Sequence, residues 1–572
     1  MFTKALTSTA TTTENGAKSH GSTGSKRVDY FFKVLRSTPQ ESINSLLSGA
    51  HNESPEDAIK LVFQLRDCRG GKGERDATTR SLKWYMNNGH IDIVRSYLKF
   101  LPYFGYWKDL HNFFGTDLES DVISLFAEII TKDIARLKKA KDANDVNEDG
   151  DLNVSITLAG KYIPSEKSKM DLKFSAAKKI AKCLGVTMSV YRKEYITPLR
   201  NHIKIVETYM CAKQWDTIKY GQVPSVCMMK HRKAFTRNDT NRFEEFIKSV
   251  EKGDETINAT QLFPHQLVHD YISKRAGSDP VINAQWEALV THFKAQGSLG
   301  NSIAVCDVSG SMTCDLGKKS GYQAIDASIG LSLLMAECAP KPFQSLISFS
   351  SKPEFMELKG DNLYQRITNI SKNNWTMNTD FQAVFEMILE RAKGYTYFDE
   401  ETKTMKNGIP VDQMPTSIFV FSDMQFDRTR FCRNCNPTDN EVRNGWGYAV
   451  NACKCVGSGQ ISNLDAVRVK YASAGYPMPQ MVFWNLNGKT LDFPATSDES
   501  GIALVSGYSP SLMKLFMTGA SMNPYNVMRG AIDDTRYDLI SKKHIEMTLE
   551  DIYYNSGVES KVDESDVKRI KL

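Results

Sequence analysis

The sequence predicts a multidomain chain: an all-α, repeat-like amino-terminal domain followed by an α/β, doubly wound carboxyl-terminal domain. Three observations carry that reading. From about Asp29 to Gln296, amphipathic helical segments dominate and strand signals are scarce. From Ser302 onward, short apolar runs alternate with helical stretches, the pattern of parallel strands covered on both faces. Two of those runs end in a carboxylate, Asp307 and Asp423, at the strand-to-loop positions where open parallel sheets bind ligands.

The helical half reads as Tyr30 to Leu47, Pro55 to Arg66, Thr78 to Met86, Ile91 to Leu101, Asp121 to Lys141, Leu172 to Leu184, Val190 to Gln214 and Asn241 to Glu251. No fixed-period repeat is visible, which leaves an irregular stack of helix pairs. In the second half the order is strand Ser302 to Asp307, helix Tyr322 to Cys338, strand Ser345 to Phe349 and a helical stretch Leu363 to Ile370. It continues with a helix from Thr379 to about Lys393 and a strand Ser417 to Asp423. A helix Leu464 to Ser473 and the strands Met481 to Trp484 and Ile502 to Val505 complete it. The expected domains are a disordered Ser/Thr/Gly-rich arm over 1–28, the helical domain over 29–297 and the α/β domain over 298–520 with an insertion at 424–458. A carboxyl-terminal extension with a disordered end follows over 521–572.

No apolar run approaches the ~20 residues of a membrane span. The first residues lack a signal-peptide core, although their composition is mildly like a transit peptide, a reading weakened by Glu14 and the absence of Arg before Arg27. Eleven scattered cysteines fit reduced thiols better than a disulfide framework, so an intracellular, cytoplasmic setting without structural disulfides is expected.

The chemistry concentrates at Asp307, Ser309 and Ser311, an Asp-x-Ser-x-Ser run after an apolar strand. One carboxylate and two hydroxyls are hard oxygen donors. They suit Mg2+ or Mn2+ in octahedral coordination, with positions left for water or a partner's carboxylate. Thr379 stands where a helix begins, spaced with Gln382 as a capping box, and offers a further hydroxyl. Asp423 brings a second acid to the same sheet edge. A lone Asp-x-Ser-x-Ser is often a plain strand-end turn; the surrounding strand and helix order favours a metal. The residues resemble the metal-ion-dependent adhesion site of von Willebrand factor A domains, with Asp307, Ser309 and Ser311 as first-loop ligands, Thr379 as the second-loop ligand and Asp423 as the third-loop acid.

The order of the two halves is distantly similar to that of the Ro autoantigen proteins, in which helical repeats of the TROVE module precede a von Willebrand A domain and bind structured RNA. A nearer resemblance is to an uncharacterised family of plants, fungi and large DNA viruses. It is carried by Leu65-Arg66-Asp67-Cys68-Arg69-Gly70-Gly71-Lys72-Gly73-Glu74-Arg75, Gly105-Tyr106-Trp107-Lys108-Asp109-Leu110, Tyr195-Ile196-Thr197-Pro198-Leu199-Arg200, Val223-Pro224-Ser225 and Val482-Phe483-Trp484-Asn485-Leu486-Asn487-Gly488. That resemblance implies a fold and supplies no activity.

Smaller features divide between chemistry and architecture. Gly70-Gly71-Lys72-Gly73 lacks phosphate-loop spacing and reads as a tight helix-helix turn. Asp145-Val146-Asn147-Glu148-Asp149-Gly150 begins like a calcium loop, but Ile156 stands where a bidentate Glu is needed, so a solvated acidic loop is expected. Trp84, Trp107 and Trp215 are suited to base stacking, yet core positions are the commoner use. Residues 151–240 hold 17 Lys or Arg against 7 Asp or Glu in a chain of formal net charge +5. Lys178, Lys179, Arg192, Lys193, Arg232 and Lys233 are candidate RNA contacts; a solvated helical surface is the alternative. Cys432, Cys435, Cys453 and Cys455 could hold Zn2+, although the second pair is tightly spaced and free thiols in a loop are equally consistent. No catalytic arrangement declares itself. The sequence therefore points to a non-enzymatic interaction scaffold gripping a partner's acidic group through a divalent metal, with Ro-like RNA binding as the alternative and no membrane partner.

Overall fold

Six strands form the one large sheet among the described residues. They are strands β3 (Ser302–Asp307), β4 (Ser345–Phe349), β5 (Phe355–Glu357), β6 (Ser417–Ser422), β7 (Gln480–Asn485) and β8 (Ile502–Ser506), in the order β8-β7-β6-β3-β4-β5. Five are parallel, and β5 is an antiparallel edge. Before them, β1 (Ala10–Thr12) and β2 (Lys18–His20) make a small antiparallel hairpin. The computed structural model describes residues 10–147, 150–317, 320–349, 352–372, 379–399, 403–427, 441–443, 449–451, 462–490, 492–517 and 522–555. Contacts divide the chain into a sheet unit (Met1–Leu61, Gly70–Ala77, Ala259–Asp533) and a helical unit (Val62–Arg69, Thr78–Asn258, Asp534–Leu572). The division differs from the border expected near 297, because residues 1–61, 70–77 and 259–297 group with the sheet.

Alternation along each strand decides what covers each face. Ile303, Val305, Ile347, Ile418, Val420, Phe483 and Leu504 pack on Phe381, Val384 and Phe385 of the helix Phe381–Gly394 and on Leu464 and Val467 of the helix Asn463–Ser473. On the other face, Cys306 lies 3.4 Å from Ser328 Oγ, which also donates to Phe421 O at 3.1 Å. Ser328 belongs to the helix Ala324–Cys338, whose residues are buried from Ala324 to Glu337. That helix is a middle layer, since the helices Pro264–Ile272 and Pro280–Lys294 pack on it in turn. His269 Nδ1 meets Asp326 Oδ2 at 2.7 Å and Trp286 Nε1 donates to Glu337 Oε1 at 3.0 Å. A Cβ on Gly330 would stand 2.9 Å from Pro264 backbone carbon, so only glycine allows this approach.

The expected disordered arm is corrected for residues 10–28. Thr13, Ala17, Ser19, Ser22 and Thr23 are buried, and His20 and Phe493 exchange backbone hydrogen bonds of 2.9 and 2.7 Å. Lys72 of the glycine-rich turn is also buried, donating to Ser506 Oγ at 2.8 Å and to Phe31 O. It serves packing within the sheet unit.

In the helical unit, the long helix Glu119–Asp142 turns Val122, Phe126, Ile129, Ile130 and Ile134 inward. Single helices expected over Leu172 to Leu184 and Val190 to Gln214 are broken. Ser175 and Lys204 take left-handed φ values of 53° and 51°, ending the helices Lys169–Phe174 and Thr197–Ile203. Arg66 and Asp109, each with a 2% exposed side chain, pair at 2.6 Å, and Asp109 Oδ2 also accepts from Tyr106 N at 3.0 Å. Asp67 binds Arg536 Nε at 2.6 Å and Tyr537 Oη at 3.0 Å, and Tyr537 stacks on Phe104 at 5.6 Å. The segment 534–555 is thus packed into this unit rather than extending from it. Trp107 is buried, as a core tryptophan should be, whereas Trp84 and Trp215 are half-buried.

Candidate metal centre

Parallel pairing of β3 with β6 sets Cys306 beside Phe421, so the loops bearing Asp307 and Ser422-Asp423 leave the sheet side by side. Asp307 is fully buried. Its Oδ1 accepts from Ser309 N at 2.9 Å and its Oδ2 from Ser422 Oγ at 2.6 Å. Ser309 Oγ and Ser311 Oγ lie 3.0 Å apart, and Asp423 Oδ1 accepts from Gln425 N at 3.2 Å. Three of the five residues expected at the site, Asp307, Ser309 and Ser311, therefore form one hydrogen-bonded network, and Ser422 ties it to the loop that carries Asp423.

Thr379 joins this network through the third loop, with its Oγ1 donating to Gln425 O at 2.7 Å. It is not the helix cap. Asp380 holds that position, accepting from Ala383 N at 3.0 Å, which corrects the capping box expected from Thr379 and Gln382. Ser311 is exposed while Asp307, Ser309, Thr379 and Asp423 are at most 3% exposed, so the network reaches solvent on the Ser311 side.

Burial, and then the charge of Asp423, push the Asp307 carboxyl up to about 7. Asp423 is raised by burial and by the carboxylates of Glu14 and Asp492. Oxygen donors around two acids that are costly to ionise together fit a hard divalent cation, whose charge would reverse that penalty. A nearby cation does not take this role by contact: Lys33 is fully buried, yet its Nζ has no hydrogen-bond partner. It lies 4.9 Å from the Phe32 ring centre and 5.0 Å from that of Phe493. Burial pushes its ammonium down to about 8, against the pull of Asp492, Asp29 and Asp423.

A group depressed in the folded state destabilises while the solution keeps it charged. Lys33→Met should therefore raise stability by roughly 2–3 kcal/mol below about pH 8, with the gain fading toward pH 10.5. Urea unfolding across that pH range checks it; an unchanged or lowered stability at neutral pH would refute the buried-charge penalty.

Sequence reasoning missed the hairpin's part in this site. Thr13 Oγ1 donates to Phe426 O at 2.8 Å, Glu14 N to Gln425 Oε1 at 2.8 Å and Asn15 Nδ2 to Gln425 O at 2.8 Å. Gly16 bridges Asp427, so the hairpin turn is laid along the loop that carries Asp423. No local signal marks these residues, because their partners lie about four hundred positions away. Ser422 was legible in principle, as a hydroxyl directly before the strand-end acid.

The other expected sites are less assembled. Lys178, Lys179, Arg192, Lys193 and Lys233 are exposed and Arg232 is half-buried; Lys179 pairs with Glu119 and Arg232 with Met229 O. Cys432, Cys435, Cys453 and Cys455 lie outside the described residues. Among the described residues no helix is long and apolar enough to cross a membrane.

A family model described as a domain of unknown function, DUF2828, matches residues 13–122 and 116–299, half of the chain. The chain belongs to the DUF2828 family. A second domain of unknown function, DUF7788, matches residues 301–552. The DUF2828 match begins at Thr13, so it takes in the hairpin turn that meets the loop carrying Asp423. An uncharacterised protein of Acanthamoeba polyphaga mimivirus, L728, is 29% identical over 553 residues, covering 90% of this chain and 86% of its own. The crystal structure of the Deinococcus radiodurans RO (RSR) protein is similar over 87% of this chain and all of that one, at 13% identity and a TM-score of 0.36. That likeness is too distant to carry an argument.

Proposed function

We propose that the sheet unit is a von Willebrand A-type module. It holds Mg2+ or Mn2+ through Asp307, Ser309, Ser311, Thr379 and Asp423 and binds an acidic group of a protein partner, so that the chain acts as an interaction scaffold. The observation that carries this reading is the network of Asp307, Ser309 and Ser311, tied through Ser422 to the loop of Asp423, at the carboxyl ends of two adjacent parallel strands. Few charged ligands leave coordination positions for a foreign carboxylate. Asp307 and Asp423 supply the anionic ligands and the hydroxyls orient; no bond-breaking step is assigned to any residue. Mn2+ titration followed by electron paramagnetic resonance tests it. The expected result is about one bound ion per chain, displaced by Mg2+ and lost in Asp307→Ala.

A second reading rests on the exposure of five of the six candidate basic residues of the helical unit. If they contact RNA, replacing Arg192, Lys193, Arg232 and Lys233 with Gln should lower the slope of log affinity against log salt by roughly 3 for a single strand. Filter binding over a salt series decides it, and an unchanged slope removes this surface. For the cysteine insertion, a structural zinc would appear as about one retained metal equivalent beyond any held elsewhere in the chain. Cys432→Ser with Cys435→Ser should remove that equivalent, and full retention would exclude the site.

A further inference from the structure

Glu207, Cys227 and His231 of the helical unit bring one carboxylate oxygen, one thiol sulfur and one imidazole nitrogen within 4.8 Å of one another. Cys227 and His231 are four residues apart on the helix Ser225–Asn238, a spacing that puts both on one face. Glu207 comes from the first turn of the helix Val206–Ala212. These positions belong to the helical unit, whereas Asp307 belongs to the sheet unit.

We propose that these three side chains are a transition-metal site of the zinc class, with a fourth position left for water or another ligand. Sulfur, nitrogen and carboxylate oxygen at about 2.0–2.3 Å are what tetrahedral zinc takes, and such bond lengths set ligand atoms about 3–4 Å apart. Only a small side-chain adjustment separates that spacing from the one observed. A purely hard cation such as Mg2+ would not select a thiolate, whereas borderline metals do.

A second observation points the same way. Glu207 Oε2 is buried and makes no hydrogen bond, although the side chain as a whole is 46% exposed. Lys161 Nζ is 3.8 Å from that oxygen, within ion-pair range and beyond a hydrogen bond. The Lys161 ammonium offsets the charge of this oxygen from a distance but gives it no hydrogen bond, so the oxygen keeps room for a cation in direct contact. The thiol and imidazole beside it are the ligands that would hold such a cation. Binding would release the thiol proton, so affinity should rise with pH.

Co2+ is the probe, because thiolate ligation gives it an intense near-ultraviolet charge-transfer band that an all-oxygen site cannot produce. The full chain with Cys432, Cys435, Cys453 and Cys455 all changed to Ser would be titrated with Co2+ and then with competing Zn2+. The expected result is a band that saturates at about one equivalent and is bleached by Zn2+. In that background Cys227→Ser should abolish the band, while His231→Ala and Glu207→Gln should keep the fold by circular dichroism and weaken Co2+ by at least about tenfold. Absence of the band in the parent, or an undiminished band in Cys227→Ser, overturns the site. Should Cys227→Ser fail to fold, the half-exposed Glu207→Gln decides: unchanged affinity there overturns it as well.

Discussion

Asp307→Asn, unfolded in chelator, should be more stable than the wild-type chain above about pH 7 and no more stable below about pH 3.8. Asp307 is fully buried, and burial together with Asp423 raises its folded-state value from 3.8 to about 7. The sign follows from proton linkage. A carboxyl raised by folding adds to stability while protonated, and that contribution is lost as pH climbs from the unfolded value through the folded one. Asn never ionises, so its advantage should grow across that window and level off at roughly 3–4 kcal/mol, reduced by any loss in the hydrogen bonds to Ser309 N and Ser422 Oγ. Mg2+ should invert the ranking, stabilising the wild type by mass action and leaving the variant unmoved. Thermal melts over pH, with and without Mg2+, read both effects; equal melting of the two proteins in chelator at pH 8 would mean that the two acids do not oppose each other.

Asp109→Ala should cost the helical unit about 3–5 kcal/mol, because it strands a buried guanidinium. Arg66 and Asp109 shield each other from water at 2% exposure, and the same carboxylate caps Tyr106 N. Space around the pair is already filled: a Cβ on Gly105 would fall 2.2 Å from Asp109 Oδ2 and 2.6 Å from Arg66 Nε. Replacing both partners, as Arg66→Met with Asp109→Leu, removes the isolated charge and should recover much of the loss. Chemical denaturation of the three proteins measures this, and a loss under about 1 kcal/mol for Asp109→Ala would show that the pair is not what locks these segments. Both residues belong to sequence motifs singled out for family resemblance, and at these two positions the motifs supply a buried ion pair.

The strands of the sheet were legible because each is a short apolar run with a clear end. Ser302–Asp307 and Ser345–Phe349 match their expected ranges, Ser417–Ser422 stops one residue short of the expected end at Asp423, and both acids follow from where the apolar runs stop. The antiparallel edge Phe355–Glu357 was not legible, being three residues whose pairing with β4 no pattern announces. Helices in the amino-terminal half were expected too long where one left-handed residue, Ser175 or Lys204, divides an amphipathic run. The hairpin of residues 10–20 was hidden for a different reason. Its Ser, Thr and Gly content is that of a disordered arm, and its order comes from backbone and side-chain bonds to Gln425, Phe426 and Phe493. At the candidate metal centre, residue types were readable, Ser422 included, while the bonds that Ser422 and Gln425 make to the acids were not, since those depend on strand register and loop path.

The most direct test of the central claim is capture of the native partner by the full chain from its own cell extract, with Mg2+ or with chelator, for wild type and for Asp307→Ala. Thermal melting serves as the folding control. Metal-dependent adhesion requires capture by the wild type in Mg2+ alone, and loss of that capture in an Asp307→Ala chain that still melts cooperatively. Equal capture by both proteins in chelator would contradict it.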